Sequence, residues 1–134
     1  MDLLNYPPKI LVAFGETISG NEEITDWLLH NGYPELGALS HAIRGSDEAV
    51  GWLLMNGFPE LAAFDGAIAE DNNAYAWLKN NNYLFLIVFA DACQGKQDAI
   101  DWFIKHELYP LLRIAQKIKE FRDGMTFDYH KLHF

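Results

Sequence analysis

Apolar positions recur along this chain in two registers, three and four residues apart within short stretches and 25 residues apart between them. Leu11, Leu36, Leu61, Leu86 and Leu111 form one column; Phe14, Leu39, Phe64, Phe89 and Ile114 a second; Ile18, Ile43, Ile68, Cys93 and Ile118 a third. Each set belongs to a stretch such as Leu36, Leu39, Ala42 and Ile43, whose spacing places the residues on one face of a helix. A second stretch in every unit carries Trp27, Trp52, Trp77 or Trp102, followed by Leu28, Leu53, Leu78 or Phe103. These are the only tryptophans, and the alignment needs no gap. Self-similarity with a period between about 20 and 50 residues marks a solenoid-type architecture.

Punctuation divides the two stretches of a unit into a helix, a tight turn and a second helix. Pro34 and Pro59 suit a first helical turn, where a missing N–H costs nothing. Gly20, Gly45 and Gly95 share a column that suits a left-handed stop. Asn21, Ser46 and Asp71 follow as N-caps of the second helix, and Glu22, Glu23, Asp47 and Glu48 place negative charge at the positive end of its dipole. Gly32 and Gly57 end that helix, with Asn82 in the same role. The run YLFLIVFA from Tyr83 to Ala90 has the look of a buried strand, but Leu86 and Phe89 occupy the first-helix core columns, so the register predicts a helix. The fold class expected is therefore all-α, an α-solenoid of about nine short helices in four and a half helix-turn-helix repeats. The chain 1–134 forms one domain, with units about 9–33, 34–58, 59–83 and 84–108, a half unit 109–122 and a C-terminal cap 123–134. Phe127, Tyr129 and Leu132 are expected to cover the apolar flank of the last unit.

Composition narrows the class without naming a function. A chain of 134 residues, half of them hydrophobic, is long enough to bury roughly two thirds of its unfolded surface and is not disordered. No apolar run reaches the roughly 20 residues that a bilayer requires, and the start MDLLNYPPK lacks signal-peptide character, so a cytoplasmic protein with no membrane contact is expected. The net charge of −9 is uneven. Residues 1–78 hold Lys9 and Arg44 against twelve acids, a net of −10, while residues 79–134 hold eight basic residues against seven acids, a net of +1. Lys117, Lys119 and Arg122 form a basic patch within the balanced half. This distribution argues against nucleic acid as a partner, and it serves either solubility or the steering of a basic protein.

Candidate chemistry reduces to structural roles at most positions. Cys93 stands in the isoleucine column and reads as a small core residue. A tryptophan in every unit is expected to pack one unit on the next, so that Trp52→Ala costs about 3 to 5 kcal/mol. His130 and His133 lie three apart, but two ligands fall short of the three or four that a metal site uses, and no metal or cofactor is expected. His30 and His41 read as surface residues. The acid pairs Glu22–Glu23, Asp47–Glu48 and Glu70–Asp71 recur at helix starts, where they act on the dipole and do not face each other as hydrolase carboxylates would. No catalytic residue is assigned.

The stretch Ala42–Gly57, AIRGSDEAVGWLLMNG, resembles the second half of an ankyrin repeat: Ala42, the Gly45 turn, Glu48, Ala49 with Val50, Leu53 with Leu54, and the Gly57 stop. Trp52 replaces the usual leucine, and ISGNEEITDWLLHNG repeats the pattern more loosely. The Thr-Pro-Leu-His opening is absent and the unit is about eight residues shorter than the usual 33, which implies that the projecting β-hairpin is missing. The resemblance implies a protein-binding scaffold without catalysis, whose first helices line a concave face. In a repeat array, function belongs where units differ. Those columns on the first helix place Glu16, His41, Arg44, Asp65, Asp91 and Gln94 on that face as the candidate contact set. Phe85 joins them from a column that reads Ile10, Glu35, Glu60, Phe85 and Pro110, either as an apolar anchor or as a residue packed beneath the C-terminal tail.

The functional expectation is a non-catalytic scaffold that binds another protein, with an acidic inhibitor or immunity-type partner of a basic protein as its narrower form. The alternative is an enzyme or small-ligand binder with a groove around His41, Asp65 and Asp91. Self-association through uncapped ends is a third reading.

Overall fold

The computed structural model describes the backbone of residues 3–132 and the side chains of residues 3–124. After a short 3-10 turn at Leu3–Asn5 come α1 (Pro8–Ile18), α2 (Glu22–His30), α3 (Pro34–Ile43), α4 (Asp47–Met55), α5 (Pro59–Ile68), α6 (Asn72–Asn80), α7 (Leu84–Cys93), α8 (Gln97–Lys105) and α9 (Tyr109–Leu132). The helices recur at the 25-residue period, including α7 where the apolar run resembled a strand. The protein is an all-α solenoid, and no described helix is both long and apolar enough to cross a membrane.

Local chemistry sets the boundaries. The side chains of Asn21, Ser46 and Asp71 accept hydrogen bonds from the backbone N–H groups of Ile24, Ala49 and Asn73 at 3.2, 3.1 and 2.9 Å, as N-caps do. Pro34 and Pro59 open α3 and α5. At the other end of α2, α4 and α6, Asn31, Asn56 and Asn81 donate Nδ2–H to the carbonyl of the tryptophan four residues earlier at 2.7 to 2.8 Å. That bond gives a carbonyl at the helix end a side-chain donor, in α4 and α6 alongside the asparagine's own backbone N–H, and accounts for the asparagine column. α1, α3 and α7 end on a left-handed glycine, Gly20, Gly45 and Gly95. The exception is Glu70, at φ 65° in the same column. Its place is this turn, where a side chain is strained; only Asp71 of that acid pair is a cap.

The odd helices do more than stack in a row. α1 packs on α3, α3 on α5, α5 on α7 and α7 on α9, and α9 then packs on α1, so the five inner helices form a closed ring with the even helices outside it. A fifth inner helix without an outer partner is what closes the ring, with Ile114 and Lys117 about 3.5 Å from where a Cβ on Gly15 would lie. α9 runs as one helix across the boundary expected at 122, and its apolar flank meets α1. The side chains of Phe127, Tyr129, His130 and Leu132 lie outside the described residues, as does His133.

The core follows the predicted columns with one correction. All fifteen residues of the three first-helix columns are buried, Cys93 included, and burial pushes its thiol far above the usual range. In the even helices, however, the fully buried position is that of Leu28, Leu53, Leu78 and Phe103. The tryptophans before them lie on the flank: Trp27 is 49% exposed, Trp52 36%, and Trp77 and Trp102 are half-buried. Successive helical residues are about 100° apart, so the leucine and the tryptophan cannot both face inward. Trp27 and Trp52 depart from the expectation that tryptophan packs unit on unit, while Trp77 and Trp102 pack partly against the core. Trp27, Trp52 and Trp77 stack on Tyr33, Phe58 and Tyr83, six residues later, within their own units.

Candidate functional site

Ring closure gives the molecule two ends, one where the inner helices begin and one where they finish. Most of the expected contact set lies toward the finishing end, with its polar groups already engaged. Arg44 donates Nη1–H to the Ile18 carbonyl at 2.9 Å, and its guanidinium lies 4.8 Å from the centre of the Phe121 ring. Gln94 donates Nε2–H to the Ala67 carbonyl and to the Tyr75 hydroxyl, both at 2.8 Å. Asp91 accepts from Tyr75 Oη at 2.7 Å and from Lys96 Nζ at 3.0 Å. Across the seam, Lys117 reaches Glu16 at 3.0 Å and Ser19 at 3.3 Å. Apart from the Asp91–Lys96 pair, which lies within one unit, these bonds join different units.

Asp65 and His41 complete that set. Burial pushes the Asp65 carboxyl up to about 6, against the opposing pull of Arg122 and with a further push from Asp47. His41 Nε2 lies 3.6 Å from Glu22 on the preceding outer helix. Thus His41, Asp65 and Asp91, the residues of the alternative groove, each engage different neighbours. Phe85 stands apart from the others at the first turn of α7, packed against Phe89, Trp102 and Phe103.

One open groove does include His41. It measures about 470 Å³ and runs over α3 between α2 and α4, lined by Leu29, Pro34, Ala38, Ala49 and Trp52 together with His41, Ser46 and Glu48. Exposed acids Glu22, Glu23, Asp47 and Glu48 stand at the starts of its two outer helices.

The starting end of the ring holds a feature that the sequence columns named but did not single out. Glu35 and Glu60 occupy equivalent first-turn positions of α3 and α5 and are only 6% and 7% exposed. Tyr6 donates its hydroxyl to Glu35 Oε1 at 2.7 Å, and burial together with this bond drives the phenol far above its usual range. Glu60 accepts no hydrogen bond and forms no ion pair among the described residues, and it lines a pocket of about 230 Å³ with Leu3, Asn82, Leu84 and Phe85. The available signal was the column itself, where Ile10 and Phe85 alternate with two acids. A column that accepts large apolar residues faces inward, so its acids are buried too. Comparison with protein-family models, curated proteins and solved structures finds no match.

Proposed function

We propose that this protein is a non-catalytic, ankyrin-like binding module that holds a basic segment of another protein in the groove between α2 and α4. The observation that carries this reading is an apolar floor with acids at its margin: Glu48 lines the groove, and Glu22 lies 3.6 Å from His41, which lines it too. Pro34, Ala38, Ala49 and Trp52 offer desolvated contact area, and Glu22 and Glu48 offer charge to a cation. Contact area of this kind supplies affinity, while acids at its margin supply steering and discrimination among partners. The net of −10 over residues 1–78 extends the attraction beyond the groove. The acidic inhibitor or immunity-type role is the narrower form of the same proposal, supported by charge and size.

A protein that co-purifies with the wild-type chain should be released by added salt and should be absent from the Glu22→Lys, Glu48→Lys double variant, with helix content unchanged and melting lowered only slightly by the two reversed dipole contacts. Its binding should also quench or shift the fluorescence of Trp52. Retention of the partner by the double variant, or turnover of a small molecule by the purified chain, would refute the proposal.

A further inference from the structure

Glu35 and Glu60 form an internal control. They are the same residue at the same place in consecutive units, each following the proline that opens an inner helix. Each is more than nine-tenths buried. A carboxylate taken out of water needs a donor or a cation to offset its lost hydration. For Glu35 the chain supplies one, the hydroxyl of Tyr6 at 2.7 Å. Glu60 has no such donor among the described residues, and it lines a pocket of about 230 Å³.

The walls of that pocket define what would fit. Leu3 and Leu84 are apolar, and Phe85, from the next unit, supplies an aromatic ring. An aromatic face beside a carboxylate favours a cation over a neutral donor, since both attract positive charge. The volume suits a compact group. We propose that this pocket is a binding site for a primary ammonium group on a short apolar stem, with Glu60 as its counter-ion and the Phe85 ring beside the ammonium. Such a group is carried by a small free amine or by a lysine side chain of a bound protein. The proposal is independent of the groove between α2 and α4.

The test uses the full chain with three probes: phenethylammonium, its neutral counterpart 2-phenylethanol, and N-acetyl-lysinamide. Phenethylammonium or N-acetyl-lysinamide should bind saturably and perturb the amide resonances of Asn82, Leu84 and Phe85. The neutral alcohol should bind at least about tenfold more weakly, as loss of a charge-assisted hydrogen bond predicts. Glu60→Gln should cost about the same factor while melting at or above the wild-type temperature, since it removes an unpartnered buried charge. Phe85→Leu should weaken binding severalfold through a separate contact. Preference for the lysine probe assigns the pocket to a protein partner, and preference for the free amine assigns it to a small molecule. Absence of saturable binding by either cation at tens of millimolar, equal binding to Glu60→Gln, or shifts centred elsewhere would overturn the assignment.

Discussion

The two ends of the ring are built from the same five inner helices, yet their polar side chains differ in kind. Where the helices finish, the polar groups include donors: Arg44 on the Ile18 carbonyl and Gln94 on the Ala67 carbonyl. Where they begin, the buried polar groups are carboxylates, Glu35 and Glu60. Helix polarity accounts for the sorting, because a helix leaves carbonyls unpaired at its C-terminus and presents N–H groups and positive potential at its N-terminus. At the finishing end, each donor belongs to one unit and its carbonyl to the unit before, so satisfying a helix end also joins two repeats. The starting end has no such reciprocity. Its carboxylates need donors from outside the inner helices, and the chain provides Tyr6 for one of them. Polarity thus serves cohesion at one end and leaves an unmet requirement at the other.

The strongest way to break this comparison is to remove a joining donor. Arg44→Ala should cost about 3 kcal/mol, from a charged hydrogen bond worth roughly 1.5 to 3 kcal/mol and a cation–π contact of roughly 0.5 to 1 kcal/mol. Urea denaturation would show it as a lower midpoint; an unchanged midpoint would mean that the bond to Ile18 does not join the units. Tyr6→Phe acts at the other end and should cost about 2.5 kcal/mol, since it leaves the buried Glu35 carboxylate without its donor. If Tyr6→Phe melts with the wild type, Glu35 has another donor and the contrast between the two glutamates fails.

Asp65 sharpens the comparison through pH. Burial lifts its carboxyl from the ordinary 3.8 to about 6. The folded state therefore binds more protons than the unfolded state between those values, and stability falls as pH rises from about 4 through about 6. Asp65→Asn should remove that fall and gain about 2 kcal/mol at pH 7. Denaturation at pH 4 and pH 7 checks both statements. A wild-type chain equally stable at the two pH values, or a less stable variant at pH 7, would show that Arg122 holds Asp65 as an ion pair.

Helix boundaries were legible because they depend on local chemistry that recurs in register. Caps at Asn21, Ser46 and Asp71 and stops at Gly32, Gly57 and Asn82 each depend on a few neighbouring residues. Ring closure was not legible, since the seam pairs Glu16 with Lys117 across 101 residues and nothing in either unit announces the other. The varying columns were rightly singled out as departures from the repeat. What they record at Arg44, Asp91 and Gln94 is which neighbour each unit joins, because a column that varies to fit an adjacent unit looks the same in sequence as one that varies to fit a ligand. Glu60 was missed for the converse reason: it repeats Glu35, and repetition reads as scaffold until the structure shows that, among the described residues, Glu35 has a hydrogen-bond donor and Glu60 has none.

Trp52 makes the smallest of these tests and the one that most directly separates the rim from the core. Its ring is 36% exposed and stacks at 6.1 Å on Phe58, the residue that caps the start of α5. Truncation removes a contact between residues six apart, much of which an unfolded chain can form in part, and water fills the space that the ring leaves. The penalty for an internal cavity is therefore absent, and Trp52→Ala should cost about 1.5 kcal/mol, well below the roughly 3 to 5 kcal/mol typical of a buried aromatic residue. A loss within that higher range in thermal or urea melts would mean that the aromatic rim at the starting end is a core in its own right. A loss near 1.5 kcal/mol leaves the fully buried Leu53 as the residue of α4 that carries its packing, and leaves the Trp52 face open to the groove.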